Sequence, residues 1–191
     1  GDVLVYEVSQ TNPSNFDTTV HVALSGSVSA ADVASISYTD ASGVLHTITD
    51  PAAIADLFTN GFDVAIPAGS TAAPAISITP VNDTIYEISE ALTLAISNPT
   101  NATVGTPSAT SSIVDNDNTN TTGDTTDGDK PTVSITATDA VAIEGGAGDV
   151  LVYEVPQDNL SNFDTTVHVD LSGAVSPADV ASISYTDVNG T

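Results

Sequence analysis

Positively charged side chains are almost absent from this sequence. Its 191 residues contain one lysine and no arginine against 25 aspartates and glutamates, so the formal net charge is −24. Such a chain repels itself when compact and has too few basic groups to form salt bridges. The same sign of charge excludes nucleic acid and anionic membrane surfaces as partners. Positive charge must therefore come from outside the covalent chain, and a divalent metal is the obvious source.

Cysteine and methionine are absent as well. Without cysteine, neither a disulfide framework nor thiolate chemistry is available. The sequence also lacks an apolar run long enough to span a bilayer, and its first residues do not resemble a signal peptide. Hydrophobic residues nevertheless make up 40% of the chain, and the mean hydropathy is +0.14. That content is enough to build a core, so the acidity does not predict disorder.

A long internal repeat organises the chain. Residues 1–44 recur at 148–191, and nine of these 44 aligned positions differ, namely 9, 11, 13, 23, 27, 30, 41, 42 and 44 of the first copy. Several of the exchanges suit turns or a polar strand face, which is the pattern of a duplicated unit whose surface has drifted. Periodicity of this kind predicts a tandem array. The unit is expected to begin near Lys130 and to end near Asn118, so we interpret the sequence as a fragment cut within a repeat at both ends.

This period predicts three segments. Residues 1–118 form a module that lacks its first strand, and residues 130–191 form the N-terminal half of the next module. Residues 119–129 are a calcium-binding junction or linker, because 119–128 contain no apolar side chain that could enter a core. The region missing from the first copy corresponds to 131–147. Another molecule could supply it, so we expect head-to-tail or strand-exchanged association.

Short β-branched runs alternate with turn residues and predict an all-β fold, with tandem immunoglobulin-like sandwich modules. The expected strands are 3–8, 18–25, 64–66, 75–80, 91–97, 108–114, 132–138, 150–155 and 165–172. One segment predicts a short helix instead, because Asp50 suits an N-cap and Pro51 suits the first helical position. Its apolar residues Ile54, Leu57 and Phe58 are expected to pack on the sandwich, and most tyrosines and phenylalanines are expected in the core.

Acidic residues gather where strands are predicted to end. Calcium takes six to eight hard oxygen ligands, and carboxylates two apart in extended chain, such as Asp115 and Asp117, can share one ion. Without a cation, crowded carboxylates repel one another and raise their own pKa values. A solvated acidic surface that favours solubility is the alternative interpretation. The candidate metal ligands are Asp83, Glu87, Glu90, Asp115, Asn116, Asp117, Asp127, Asp129, Asp139 and Glu144.

Two common calcium motifs do not fit these residues. An EF-hand loop that started at Asp115 would require glycine where Asn120 stands. The glycine-rich stretch 144–149 approaches the nonapeptide of a parallel β-roll, but its aspartate falls one position early and the motif does not recur within the unit. Calcium is therefore expected in the loops of a sandwich.

Several short motifs follow one another in a characteristic order. Glu144-Gly145-Gly146 opens the unit, and it is followed by Ile66-Pro67-Ala68-Gly69 and by Val81-Asn82-Asp83 with Glu87 and Glu90 beyond it. Ile113-Val114-Asp115-Asn116-Asp117 closes the unit. Together these motifs resemble the Calx-β type of immunoglobulin-like module, and they look most like the tandem copies in the extender regions of bacterial RTX adhesins. The resemblance implies calcium ligation by Glu144, Asp83, Glu87, Glu90, Asp115 and Asp117.

The resemblance also implies a function. The chain would be a structural extender of a cell-surface adhesin, made rigid by Ca²⁺ at module ends and junctions so that it projects a distal binding domain. It would lie outside the cell, on a bacterial surface, with neighbouring identical modules as its partners. A calcium-dependent module that binds a carbohydrate or another surface is the alternative.

Catalysis is not expected. His21 and His168 occupy equivalent positions on the polar face of a predicted strand, and His46 stands alone near a turn. The sequence contains no nucleophile elbow and no carboxylate pair flanked by an aromatic cleft.

Overall fold

Two antiparallel sheets form the larger part of the molecule. A computed structural model describes residues 2–115 and 128–186. One sheet has the strand order β1-β6-β3-β4 and the other has the order β5-β2-β8-β9. The chain is therefore an all-β sandwich, as predicted. The strand bounds are β1 Leu4–Tyr6, β2 Thr18–Gly26, β3 Val33–Thr39, β4 Leu45–Ile48, β5 Phe62–Ile66, β6 Ile76–Pro80, β7 Ile85–Tyr86, β8 Glu90–Ser97 and β9 Ser108–Ile113.

The core lies between the two sheets and follows the alternation of each strand. In β2 the buried residues are Val20, Val22 and Leu24, which face inward while the residues between them face outward. Ile36 of β3 and Ile78 of β6 meet them from the opposite sheet in one continuous cluster. Each large apolar side chain that is removed from water in this way contributes about 1.5–3 kcal/mol.

The predicted helix is confirmed as α1, Pro51–Asn60. The side chain of Asp50 accepts a hydrogen bond from the Ala53 amide at 2.9 Å, which satisfies one of the free donors of the first turn. Ile54 and Leu57 are buried against the sandwich. The helix thus connects β4 to β5 and packs on the sandwich.

Strands β3 and β4 were not predicted. They pair with each other from Ile36 opposite Ile48 to Thr39 opposite Leu45, and a 3₁₀ turn over Ala30–Asp32 precedes them. The alternation of apolar and polar residues from Ser35 to Thr39 carried the signal for β3. The register of β3 against β6 shifts near its start, and this irregularity shortens the regular part of the pattern.

The second copy has much less regular structure. Its strands are β10 Thr136–Asp139, β11 Val152–Glu154 and β12 Leu160–Ser161, so the strands expected at 132–138 and 150–155 are shorter than predicted. The strand expected at 165–172 is wrong, because these residues are in no strand. In the first copy, β2 pairs with β5 and β8. The segments that form β5 and β8 occur once in the sequence, and both already pair with β2. The equivalent segment 165–172 therefore has no partner strand of this kind.

Burial of the aromatic residues differs between the copies. Tyr6, Tyr38 and Phe62 lie in the core, as expected, whereas Tyr153 and Tyr185 of the second copy are exposed. The second copy therefore carries core-type residues that are not packed. Within the part of the chain that the structure describes, no helix has the length and apolar character needed to cross a membrane.

Candidate functional site

One end of the sandwich gathers the ends of four strands. β3 begins at Val33 opposite Pro80, the last residue of β6. β8 begins at Glu90 opposite Ile113, the last residue of β9. The turn before β3, the loop between β6 and β8, and the residues after β9 therefore meet there. These segments carry five carboxylates, called the acidic end below: Asp32, Asp83, Glu87, Glu90 and Asp115.

Backbone amides of the loop before β8 donate hydrogen bonds to two of these carboxylates. Asp83 Oδ1 accepts from the Ile85 amide at 2.9 Å, an Asx-type contact that shapes the start of the loop. Asp115 Oδ2 accepts from the Glu87 amide at 3.1 Å. The second contact joins residues that are 28 positions apart, so it fixes the end of β9 against the loop.

Asp32 was not among the predicted ligands. It ends the 3₁₀ turn, and its Oδ2 accepts hydrogen bonds from both the amide and the hydroxyl of Ser29, each at 2.7 Å. The Asp32 side chain is also hydrogen-bonded to that of Glu90. The signal for this position was the Ser-x-x-Asp spacing of a capping box, which the repeat preserves as Ser176 and Asp179.

Partial burial and like charges together raise pKa values at the acidic end. Partial burial, the charge of Asp32 and the hydrogen bond to Asp32 raise the pKa of Glu90 to about 7. Partial burial also raises the pKa of Glu87, and the charges of Asp32, Asp83 and Asp115 add to the effect. The chain has a single lysine or arginine with which to balance them. The fold therefore places these carboxylates close enough to disfavour one another's ionised forms.

The acidic end has suitable donors for a hard cation but does not form a closed ligand shell. Its carboxylate oxygens are the donor type that calcium prefers, and their mutual repulsion would fall on binding a cation. Across residues 2–115 and 128–186, however, no three histidine, aspartate or glutamate side chains come close enough to hold one ion. Of the predicted ligands, Asp83, Glu87, Glu90 and Asp115 are brought together here, whereas Asn116, Asp117 and Asp127 lie outside the described residues.

The remaining predicted ligands are in the second copy. Asp139 ends β10 and Glu144 lies in the turn that follows, and both are exposed within a separate two-stranded hairpin. Asp129 differs from them. Its backbone has a left-handed φ of 57°, and its Oδ2 is buried with no hydrogen-bond partner among the residues that are described. A buried, unsatisfied carboxylate oxygen is costly unless a cation or a donor meets it, so Asp129 fits a metal ligand chemically.

Comparisons with known proteins give one weak structural likeness. No protein-family model matches the sequence, and no curated protein matches it either. Among solved structures, the chain is similar to CBD12 from CALX1.2, a Calx-β domain, with 17% sequence identity and a TM-score of 0.40. The similarity covers 60% of this chain and 38% of that one.

Proposed function

We propose that this chain is part of a tandem array of β-sandwich modules that bind Ca²⁺ at their acidic ends and act as a structural extender. The array would belong to an adhesin on a bacterial cell surface and would hold a distal binding domain away from the cell, without catalysing a reaction. The observation that carries the proposal is the acidic end itself, where five carboxylates converge and the pKa values of Glu87 and Glu90 rise. The 147-residue repeat supports the array.

Calcium would act on the acidic end in two ways. It would offset the repulsion among the carboxylates and thereby lower the pKa values that the fold now raises. It would also stabilise the folded form by mass action, by about 2.7 kcal/mol for each site when calcium exceeds Kd a hundredfold. Extracellular calcium modules have Kd values of about 10⁻⁴–10⁻³ M, so external calcium would occupy much of such a site.

The ligand shell would have to be completed on binding. Asp32, Asp83, Glu87, Glu90 and Asp115 supply the carboxylates, while backbone carbonyls and water would supply the other oxygens that calcium requires. A small inward movement of the loop between β6 and β8 would bring these groups within ligand distance of one ion. This movement would strengthen the existing contact between the loop and the end of β9 and stiffen the end of the module from which the chain runs to the next copy.

The alternative is a calcium-dependent ligand-binding module. Such a surface would be expected to expose aromatic side chains, but Tyr6, Tyr38 and Phe62 of the sandwich are buried. Phe16 is the exception, and a different role is proposed for it below. The burial of Tyr6, Tyr38 and Phe62 in the complete sandwich favours the extender.

The test compares the melting temperature and small-angle X-ray scattering of the full chain with calcium and with a chelator. We expect calcium to raise the melting temperature and to give the scattering of a more rigid, elongated particle. The double variant Glu87→Gln/Glu90→Gln should lose most of both effects. The matched control is Glu7→Gln/Glu154→Gln, which removes the same charge from two exposed, repeat-equivalent positions and should respond like the wild type.

Two results would refute the proposal. One is a wild-type chain whose melting temperature and scattering do not change with calcium. The other is a Glu87→Gln/Glu90→Gln variant that keeps the full calcium response.

A further inference from the structure

A short segment of the second copy is seated on the first module beside the acidic end. Leu160 and Ser161 form β12, which pairs in parallel with Ile85 and Tyr86 of β7. The next residue, Asn162, extends this contact, because its amide donates to the Tyr86 carbonyl at 3.1 Å. All other strand pairs among the described residues are antiparallel. This parallel pair thus joins one copy of the repeat to the other.

Side chains add to the seated contact. The Asn162 amide group donates a hydrogen bond to Glu87 Oε1, and the Phe163 ring meets the Tyr86 ring edge to face with centroids 6.3 Å apart. Edge-to-face aromatic pairs and hydrogen bonds to carboxylates are both favourable contacts. Ser161 Oγ accepts from the Phe163 amide at 3.0 Å and forms a small turn that presents Asn162 and Phe163 to β7.

The first copy contains the same turn without a partner strand. Ser14 Oγ accepts from the Phe16 amide at 3.0 Å, the same contact at the same distance as in the second copy. A backbone hydrogen bond fixes this turn to the sandwich, because the Gly69 amide donates to the Ser14 carbonyl at 2.7 Å. Asn15 and Phe16 project outward, and Phe16 is 69% exposed, whereas Phe163 is 46% exposed.

We propose that residues 13–16 and 160–163 are two copies of one docking segment, and that each fits the β7 strand of another repeat. The segment 160–163 is seated on β7 of this chain. The free segment 13–16 takes β7, with the adjoining Glu87, of a second copy of the chain. The proposal rests on the proposed function only in treating the two copies as neighbouring units of one array.

One sequence difference bears on the strength of docking. Pro13 of the free segment stands where the seated segment has Leu160. Proline has no amide hydrogen, so the free segment offers one backbone donor fewer to a partner strand. The free segment is therefore expected to dock more weakly than the seated one. The side-chain contacts of Asn15 and Phe16 are available in full.

The seated contact is tested by amide hydrogen exchange on the full chain in calcium-free buffer. Asn162→Ala/Phe163→Ala should speed exchange at residues 160–162 about tenfold or more, the effect of losing a net favourable hydrogen bond and a ring contact. Asn15→Ala/Phe16→Ala is the matched control, since it removes the same two residue types from the free segment, and it should leave those amides unchanged. Equal exchange in the wild type and in Asn162→Ala/Phe163→Ala would overturn the proposal.

The free segment is tested by sedimentation of the same variants. In the wild type, β7 is occupied by its own chain, so little association is expected. Asn162→Ala/Phe163→Ala frees β7 while leaving the segment 13–16 intact, so this variant should associate head to tail, with an average mass that keeps rising with concentration. The protein concentration should be raised to about 1 mM in this series. That is about the effective concentration that a short linker gives a partner within the same chain.

Combining all four alanine substitutions removes the free segment as well. This variant should remain monomeric, and a melting temperature equal to that of Asn162→Ala/Phe163→Ala is the check on folding. The docking of residues 13–16 is refuted if Asn162→Ala/Phe163→Ala stays monomeric throughout, or if the four-alanine variant associates equally. Neither measurement uses calcium, so a failed calcium response and a failed docking test are separate results.

Discussion

Replacing Glu90 by glutamine should stabilise the protein in the absence of calcium, although it removes a charged surface group. The pKa of Glu90 rises from its ordinary 4.5 to about 7, so the fold disfavours its ionised form. At about 1.36 kcal/mol for each pKa unit, the ceiling of this cost is about 3.4 kcal/mol. Glu90 is only partly buried, and solvent screening reduces the expected cost to about 1 kcal/mol. Glutamine keeps a donor for the hydrogen bond to Asp32.

The sign of the effect depends on pH. A carboxyl whose pKa is raised by folding contributes its full stability below its unfolded pKa and loses it as pH rises through the folded pKa. The wild type should therefore lose stability relative to Glu90→Gln between about pH 4.5 and about pH 7, and the difference should then stay level. Urea unfolding in chelator at about pH 4.5 and about pH 8 measures it. Glu7→Gln, at an exposed position, is the control.

Two results would contradict this reasoning. In the first, Glu90→Gln would be no more stable than the wild type at the higher pH. In the second, the same gain would occur at both pH values, which would mean that the ionisation of Glu90 is not its cause.

Two further substitutions test the fold itself. Asp50→Ala removes the acceptor for the Ala53 amide and should lower the free energy of unfolding by about 1 kcal/mol in urea titrations. Asp50→Asn, an equally good cap, should change it little. Equal losses in the two variants would contradict the capping role. Gly26→Ala should lower the melting temperature by many degrees, because a Cβ there would lie 2.0 Å from the Ala91 carbonyl oxygen. Gly173→Ala is the control, because Gly173 is the equivalent position with a similar φ and no atom within 4 Å of the added Cβ, so its effect on the melting temperature should be small. If both variants lower the melting temperature equally, backbone strain and not the clash with Ala91 is the cause.

The sequence predicted the parts of the fold that local patterns encode. Strand β2 follows strict alternation, and α1 combines an N-cap, a proline and an apolar stripe, so both were predicted close to their observed bounds. The segment 165–172 has nearly the same pattern as β2 but forms no strand. A strand requires partners, and the pattern within one segment does not state whether those partners are available.

The site was predicted in part for the same reason. The acidic residues around Asp83 and Asp115 stand out because they follow strands, so their convergence could be inferred from a sandwich topology. Asp32 could not be placed with them, because it belongs to a turn 50 or more residues earlier, before a strand that was not predicted. The contact between Asn162 and Glu87 joins the two copies, and no periodicity in the sequence indicates it.

The capped turn that holds Asp32 occurs again at Asp179, in the copy whose surrounding residues are exposed. Ser176 donates to Asp179 Oδ2 from its amide at 2.9 Å and from its hydroxyl at 2.7 Å, much as Ser29 does for Asp32. The turn therefore depends on four consecutive residues rather than on the core. Closing so short a loop costs little entropy and is fast compared with pairing distant strands. We infer that during folding the orientation of this carboxylate is fixed early, and that the slower, long-range strand pairing then brings the other carboxylates to it.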